Sequence, residues 1–397
     1  MLLLQCVDES SKEVSGMKKK RLLFLRATAI MVLALVALLD VAFLIHRDRA
    51  TSPLENRNLQ QRPALTLQGL LSGRFESRFD SYVSDQFPLR DHWIALKSTL
   101  DRLAGRTESN GVFLGRDGYL IQDFKAPSEA DYRRTMDALV DFLDRHDDLA
   151  QYVLVAPTAV TVLSDALPAL ADAGDEVGYI HRLAEDLSET PATFIDLRPA
   201  FAEAKASTQL YYRTDHHWTS DGARLAYLEL ARAASLPGDT DGFERRLLSN
   251  RFQGTLSAVS GFRMNQSEDL WAYIPGDGTP QTVVTWVSEN RRSASLYREE
   301  SLDTRNKYAV FLGGNFPQIR IETTVNNGRA LLILKDSYAN CLIPFLTTGY
   351  QKLVVVDPRY FTGDLEVLME AEGVNEVLIL YNAETLAEDT ALRGDIE

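Results

Sequence analysis

Three short, uninterrupted apolar segments in the last third of the chain constrain its fold most strongly. They are ALLIL (330–334), KLVVV (352–356) and EVLIL (376–380), and their ends lie 22 and 24 residues apart. An earlier pair, YVLVAP (152–157) and TFIDL (193–197), shows the same composition. Continuous apolar strands that are joined by helical segments are typical of a parallel sheet covered on both faces. The sequence therefore predicts an α/β fold in which helices cover both faces of a parallel sheet.

The rest of the chain predicts further elements around this sheet. A length of 397 residues exceeds the roughly 250–300 residues that one hydrophobic core usually supports. Residues 240–325 are rich in Thr, Val, Trp and Tyr, which predicts a β-rich insertion over the sheet. The segment GVFLGRDGYLIQDF (111–124) predicts a hairpin, and a helix is expected from about Ser128 to Asp144. The polar segment 46–65 predicts a linker, which leaves 66–397 as the folded body.

The amino-terminal part of the chain predicts a membrane anchor. Basic residues Lys18 to Arg21 precede a mostly apolar stretch from Leu22 to Ile45, which is long enough to span a bilayer. A cleaved signal peptide is the alternative, but the apolar run is long and no convincing A-x-A cleavage site accompanies it. Because basic flanks stay in the cytoplasm, we expect a cytoplasmic segment 1–21, a single-pass anchor 22–45 and an extracytoplasmic body.

Charge and cysteine content exclude several classes of protein. The net charge is −14, and the first 50 residues carry an excess of Lys and Arg, so the body is more acidic still. Such a body repels nucleic acid and anionic lipid, and neither is expected as a ligand. Cys6 and Cys341 flank the anchor and cannot build a disulfide framework or a cysteine-based zinc site. We expect Cys341 to be a buried thiol with a packing role, and no cofactor is expected.

Polar residues follow the predicted parallel strands directly. Because ligands bind beyond the carboxyl ends of such strands, these side chains are expected to converge at one edge of the sheet. Ser337 stands where a strand turns into a helix and is a candidate nucleophile, with an ordinary N-cap as its alternative role. The candidates for stabilising an oxyanion or binding substrate are Tyr338, Arg359, Tyr360 and Asn382.

The segment YYRTDHHWTSDGARLAYLEL provides possible partners for this serine. A serine hydroxyl becomes a good nucleophile when a base removes its proton and a carboxylate orients that base. Asp215 and His217 are two residues apart, so their side chains would lie on the same side of an extended backbone. The sequence thus predicts a Ser337–His217–Asp215 triad, with His216 pointing the opposite way in a structural role. The alternative is a zinc or manganese site formed by Asp-His-His, although no further metal-ligand spacing accompanies it.

Two motifs resemble a known family. Thr214–Thr219 (TDHHWT) and Lys335–Tyr338 (KDSY) are similar to the signatures of the DHHW proteins. These proteins belong with the acetyltransferase-type branch of the SGNH hydrolase-like superfamily, which includes proteins that acetylate alginate and bacterial cellulose. The resemblance covers most of residues 54–385 and departs from the usual Gly-Asp-Ser block at Lys335. The further blocks that carry it are ENRNLQQRP, SDQFPLRDHW, GVFLGRDGYL, GGNFP, KDSYAN, VVDPRYF and LILYN.

The resemblance implies both a fold and a function. It implies an SGNH-like domain in which Asp215, His217 and Ser337 form the triad and Asn382 matches an active-site asparagine. It further implies a membrane-anchored serine acyltransferase that O-acetylates a cell-surface or exported polysaccharide and works with a membrane-bound O-acyltransferase partner. The alternatives are a glycan O-acetyl esterase with the same triad and a non-catalytic glycan-binding or assembly protein of the same fold.

Overall fold

The computed structural model describes residues 2–52, 57–262 and 267–396 of the chain, and it describes no side chain within residues 2–19. Residues 53–56 of the predicted linker and 263–266 of the predicted insertion therefore lie outside the described residues, as does the side chain of Cys6.

The chain separates into two units. Of the described residues, 2–52 and 57–93 form the first unit, and 94–262 and 267–396 form the second. The first unit holds one long helix in which Lys20–Ile45 is long and apolar enough to cross a membrane and has no side chain buried in protein. An apolar helix that ends at Ile45 agrees with the predicted anchor.

The helices were predicted in part. The helix expected from Ser128 to Asp144 is present as Glu129–Arg145, begun by Ser128, whose hydroxyl accepts a hydrogen bond from the backbone N of Asp131. The α-helices, in chain order, are α1 (Leu2–Ile45), α2 (Leu67–Leu71), α3 (Arg74–Gln86), α4 (Arg90–Leu103), α5 (Glu129–Arg145), α6 (Ala159–Val162), α7 (Glu176–Asp186), α8 (Arg198–Ala204), α9 (Ser220–Ala233), α10 (Leu256–Ser260), α11 (Ile343–Leu346), α12 (Leu365–Glu372), α13 (Ala383–Glu388) and α14 (Ala391–Ile396).

The strands include all five of the predicted parallel ones. In chain order they are β1 (Thr51–Ser52), β2 (Arg57–Asn58), β3 (Glu108–Ser109), β4 (Val112–Leu114), β5 (Leu120–Gln122), β6 (Ala150–Ala156), β7 (Thr193–Ile195), β8 (Phe243–Phe252), β9 (Glu268–Pro275), β10 (Thr282–Trp286), β11 (Arg291–Ser293), β12 (Gln318–Thr323), β13 (Ala330–Lys335), β14 (Lys352–Val356) and β15 (Glu376–Asn382). Strands β4 and β5 pair antiparallel and form the predicted hairpin.

An eight-stranded mixed sheet lies in the second unit, in the order β11-β10-β12-β14-β13-β15-β6-β7. Strands β14, β13, β15, β6 and β7 are parallel, and Leu334 of β13 is level with Val356 on one side and Ile379 on the other. Every residue of β13 is buried, as expected for a strand with helices over it. Helices α5, α7, α9 and α12 contribute buried residues to the same core. The predicted α/β class is thereby confirmed.

The segment 240–325 is rich in strands but is arranged differently from the prediction. Strands β8 and β9 form a separate antiparallel ladder, whereas β10, β11 and β12 extend the central sheet beyond β14 instead of lying over it. In β12 the buried residues Ile319 and Ile321 alternate with more exposed neighbours, a pattern that suits a half-covered antiparallel strand. Strand β12 pairs with the edge of β14, which would otherwise present open backbone groups.

Cys341 is a buried free thiol, as predicted. Its sulfur lies 3.1 Å from Nε1 of Trp218 and 3.2 Å from the hydroxyl of Tyr308, and both groups can donate to it. Burial raises the pKa of the thiol to about 12, so the reactive thiolate is scarce at neutral pH.

We expect Cys341→Ala to lower the free energy of unfolding by about 1–3 kcal/mol, because the Tyr308 hydroxyl loses its partner in a buried place. Cys341→Ser, which keeps an acceptor, should recover part of that loss. Urea unfolding of the two variants measures the difference. Fast labelling of the native wild-type thiol by iodoacetamide would contradict the buried assignment.

Candidate functional site

The end of β13 places Ser337 at the first turn of a helix. Asp336 is the N-cap of the 3₁₀ helix Ser337–Cys341, and its Oδ1 accepts a hydrogen bond of 2.9 Å from the backbone N of Tyr338. The capping role considered for Ser337 is therefore filled by Asp336, and that alternative is wrong. The Ser337 hydroxyl is free to serve another partner.

That partner is His217, although 120 residues separate the two positions. Nε2 of His217 lies 2.8 Å from Oγ of Ser337, and Nδ1 lies 2.5 Å from Oδ1 of Asp215. The imidazole thus bridges the hydroxyl and the carboxylate. This geometry allows a base to take the serine proton while a carboxylate stabilises the resulting imidazolium.

The backbone of this segment differs from the predicted extended strand. Residues 213–217 form a bend, closed by the bridge between Tyr211 and Trp218. Oδ1 of Asp215 accepts a hydrogen bond of 3.0 Å from the backbone N of His217, as in an Asx turn. The two side chains lie together as expected, but a local side-chain bond to the backbone brings them together.

The Asp215 carboxylate is buried and fully hydrogen-bonded. Besides the two bonds from His217, its Oδ2 accepts from the backbone N of Thr255 at 2.9 Å and from the Thr255 hydroxyl at 3.2 Å. Burial opposes its charge, but His217, His216 and these hydrogen bonds together lower the pKa of Asp215 well below its usual range. The side chain therefore stays ionised and acts only as an acceptor.

Glu268, at the start of β9, stabilises the bend at residues 213–217 through hydrogen bonds. Its carboxylate accepts hydrogen bonds from the backbone N of Arg213 and Thr214 and from the Thr214 hydroxyl. The Thr214 oxygen in turn accepts from the backbone N of Gly254 at 2.8 Å. Glu268 and Gly254 could not be predicted from the sequence, because both lie far along the chain in the insertion and neither belongs to a local pattern.

Gly254 approaches Asp215 so closely that no side chain fits. A Cβ on Gly254 would lie 2.2 Å from Cβ and 2.5 Å from Cα of Asp215. We expect Gly254→Ala to displace Asp215 and, in the serine mechanism that the sequence predicts, to slow acetylation of Ser337 by 4-nitrophenyl acetate by about 100-fold, as displacements near 1 Å do. The matched control is Gly238→Ala, where a Cβ would meet no atom within 4 Å. Equal rates in Gly254→Ala and Gly238→Ala would show that the close approach of Gly254 to Asp215 is not required.

The prediction that His216 points away from His217 is wrong. Its ring lies 3.9 Å from the His217 ring between centroids, and its Nδ1 lies 3.1 Å from Oγ1 of Thr255. The side chain keeps 31% of its surface exposed, and the rest lies against Thr255, His217 and Tyr338. This burial, together with His217, lowers the pKa of His216 to about 4, so the ring is neutral at pH 7.

Aromatic rings fix the orientation of His217. The Tyr308 ring stacks on it, with 3.8 Å between centroids and 16° between planes. Tyr338, a substrate-binding candidate, is buried, and its hydroxyl donates to the backbone O of His216 while its ring lies 5.0 Å from that of Trp218. Tyr338 is therefore a buried packing residue that holds the backbone of His216 in place.

Asn382 is tied to the protein through both ends of its amide. Its Nδ2 donates to Oδ2 of Asp336 at 2.5 Å and to Oγ1 of Thr385 at 2.6 Å. Its Oδ1 accepts from the backbone N of Thr385, which caps α13. The side chain thus joins the end of β15 to Asp336, directly beside Ser337.

Arg359 and Lys335 share one buried carboxylate. Arg359 donates to both oxygens of Asp357, at 2.9 and 2.7 Å, and Lys335 donates to Oδ2 of Asp357 at 3.3 Å and to Asn315 at 2.9 Å. Burial lowers the pKa of Lys335. The lysine that replaces the glycine of the usual block is therefore buried, and its amino group is held by Asp357 and Asn315. Tyr360 is exposed, with its ring 5.8 Å from the Arg359 guanidinium carbon.

A cleft of about 390 Å³ opens beside these groups, between His216 and α13. Its walls include Thr255, Leu256, Arg359 and Asn382. Asp215, His216 and His217 also offer ligand atoms within 4.8 Å of one another, so the residues are compatible with a metal ion as well as with a triad.

Comparison with known proteins identifies the family to which the chain is similar. Residues 112–315 match the family described as "SGNH hydrolase-like domain, acetyltransferase AlgX". The chain is 27% identical over 186 residues to a probable alginate O-acetylase AlgJ of Pseudomonas putida, which is 44% of this chain and 48% of the relative. The match to the corresponding protein of Pseudomonas fluorescens is 25% over 191 residues. The chain thus spans about half the length of the curated relatives it matches.

Solved structures share the fold. A DHHW family protein from Eubacterium siraeum superposes with a TM-score of 0.62 and 23% identity, over 72% of this chain and 95% of that one. Bacillus cereus PatB1, solved with a sulfonyl adduct, gives a TM-score of 0.60 and 22% identity, over 70% and 97%. The resemblance carried by TDHHWT and KDSY is thereby confirmed at the level of family and fold.

Proposed function

The chain belongs to the family of SGNH hydrolase-like, AlgX-type acetyltransferase domains, and on that premise we propose that it is a serine acyltransferase that O-acetylates a polysaccharide. The strongest support for this proposal is the geometry of three side chains. Ser337, His217 and Asp215 form a continuous hydrogen-bonded row at the carboxyl edge of the parallel strands. The matched family segment ends at residue 315, so Ser337 enters the proposal from its geometry and from the KDSY motif.

Each member of the row has a distinct role in this proposal. Ser337 Oγ attacks the carbonyl carbon of an acetyl ester while Nε2 of His217 takes its proton, and Asp215 stabilises the imidazolium that results. Collapse of the tetrahedral intermediate returns that proton to the leaving alcohol and leaves acetyl-Ser337. In the second half, His217 takes a proton from a sugar hydroxyl, which attacks the acetyl carbon, and Ser337 recovers a proton as it leaves.

The relatives support the choice of acceptor. These relatives are probable alginate O-acetylases, so a polysaccharide is the proposed acceptor class. We propose a membrane-bound O-acyltransferase as the partner that supplies the acetyl group, and helix α1 as the anchor that keeps residues 66–397 beside it. A glycan O-acetyl esterase with the same residues differs only in that water is the acceptor.

Trapping the acetyl-enzyme tests the proposal. The full chain in detergent is treated with 4-nitrophenyl acetate, with and without EDTA, and digested for mass spectrometry. A 42-Da adduct, roughly the mass of one acetyl group in place of a proton, is expected on Ser337 in both samples. A missing adduct would favour a non-catalytic protein, whereas loss of the adduct with EDTA would favour the metal site.

The proposed topology makes a separate prediction. Because Lys18 to Arg21 should remain in the cytoplasm, protease added to intact cells should degrade the body from residue 66 onward. Immunoblots with antibodies against the carboxyl-terminal region measure the loss, and cells lysed before protease treatment provide the control. If the body were protected in intact cells and degraded in lysed cells, it would lie on the cytoplasmic side, and the proposed topology would be wrong.

A further inference from the structure

We propose that the cleft beside His216 is the subsite for an uncharged acceptor sugar, and that Nε2 of His216 accepts a hydrogen bond from a hydroxyl group of that sugar. The inference rests on the proposed function, because it concerns the second half of the acetyl transfer. It assigns a binding role to a residue that the Ser337–His217–Asp215 row does not use.

A short hydrogen-bond relay sets the tautomer of His216. The Thr255 hydroxyl lies 3.2 Å from Oδ2 of Asp215 and 3.1 Å from Nδ1 of His216. It has one proton, which goes to the ionised carboxylate because charge-assisted hydrogen bonds are the stronger ones. The Thr255 oxygen must then accept from a protonated Nδ1 of His216. In a neutral imidazole this leaves Nε2 without a proton, as a hydrogen-bond acceptor.

The position of the ring leaves Nε2 available to a ligand. The His216 side chain lines the cleft and is 31% exposed, against 6% for His217. Within the part of the chain that the structure describes, Nδ1 is the only His216 ring nitrogen with a hydrogen bond to protein. The ring is 3.9 Å from that of His217, which contacts Ser337. A hydroxyl held at His216 is therefore close to the base that must deprotonate the acceptor.

The size and lining of the cleft suit a sugar ring. Its volume of about 390 Å³ lies within the range of small-ligand pockets. Leu256 and Val259 offer an apolar wall, and Gln122 and Thr385 offer uncharged polar groups. A pyranose combines an apolar face with a rim of hydroxyl groups and matches both kinds of surface.

The charges around the cleft favour a sugar without a carboxylate. The cleft is lined by the carboxyl groups of Glu384, Glu388 and Asp389, and by one guanidinium, that of Arg359. Arg359 already donates to both oxygens of Asp357. Burial raises the pKa of Glu384 to about 8, so this carboxyl is largely uncharged at pH 7, and burial raises the pKa of Asp389 as well. A uronate carboxylate would therefore lose water in the cleft without gaining a free basic partner among the residues that line it, a cost that an uncharged sugar does not have.

Nitrogen NMR of the histidine rings tests the relay directly and does not require acetyl transfer. The full chain in detergent is labelled with ¹⁵N-histidine, and His216→Gln assigns the signal of one of the six histidines. We expect the tautomer with a proton on Nδ1, and a change in the Nε2 shift when cellopentaose is added. Pentamannuronate, the matched acidic probe, should cause a much smaller change. A proton on Nε2, or no response to cellopentaose, would overturn the proposal.

The role of His216 in transfer is tested by comparing two rates, that of Ser337 acetylation and that of acetyl transfer from Ser337 to a sugar. His216→Phe keeps a ring against His217 but removes the acceptor atom, so transfer to cellopentaose should fall roughly 10-fold more than acetylation of Ser337 does. His216→Gln keeps a polar group and should recover part of the transfer. Equal losses in both steps would make His216 a support for His217 alone. If the wild-type chain forms no acetyl-Ser337, the proposed function fails, and the NMR result still decides on the subsite.

Discussion

Ser337→Ala should abolish formation of the acetyl-enzyme, with a rate loss on the order of 10⁶ in a triad whose members act as a unit. The hydroxyl is the only group in the row that can form the acetyl ester, and its Oγ lies 2.8 Å from the base. His217→Ala should lose nearly as much, because no other group in the row takes the proton. The burst of 4-nitrophenol from 4-nitrophenyl acetate measures each rate.

The double variant decides whether the two residues act together. When members of a triad depend on one another, removing the second adds little to the loss caused by the first. His181→Ala, a change at an exposed histidine of α7, serves as the matched control and should react like the wild type. Losses that multiply in the double variant would show that Ser337 and His217 act independently. Full activity of Ser337→Ala together with inhibition by EDTA would replace the triad with a metal site.

The sheet and the convergence of polar residues at its edge were predictable from local patterns. Continuous apolar runs of four or five residues are a local signal, and parallel strands bring their carboxyl ends to one edge. For this reason the shared location of Ser337 and Asn382 follows from the amino-acid sequence alone. Their exact bonding could not be predicted, because Asn382 bonds to Asp336 across neighbouring strands, and no sequence spacing specifies which neighbour an amide chooses.

The wrong predictions concern places where side chains bond to the backbone or to distant loops. The bend at Asp215 depends on its own bond to the backbone N of His217, which competes with an extended strand. The direction of His216 depends on Thr255, which lies 39 residues away in the insertion. The placement of β10 to β12 on the sheet depends on the open edge of β14. For His216 and for these strands the deciding partner is remote in sequence, and residue spacing carries no information about it.

Asp215→Asn is expected to keep the fold and to lose roughly 10⁴-fold in the rate of Ser337 acetylation, the loss measured for this change in a well-studied triad. The wild-type carboxylate accepts four hydrogen bonds, from two groups of His217 and two of Thr255. An asparagine has one accepting oxygen and a donating NH₂ group. Whichever way the amide is turned, its NH₂ meets either the donors of Thr255 or Nδ1 of His217.

In the second orientation the amide donates to Nδ1 of His217 and forces the proton of the imidazole onto Nε2. A protonated Nε2 cannot accept the proton of Ser337, which is why the rate should fall far more than the stability. Asp364→Asn, at the N-cap of α12, is the matched control, because there an asparagine oxygen can still accept the bond from Val367. Circular dichroism and the 4-nitrophenol burst are measured on both variants. A loss below about 10-fold in Asp215→Asn would exclude Asp215 from the orientation of His217 and would leave Ser337 and His217 as a dyad.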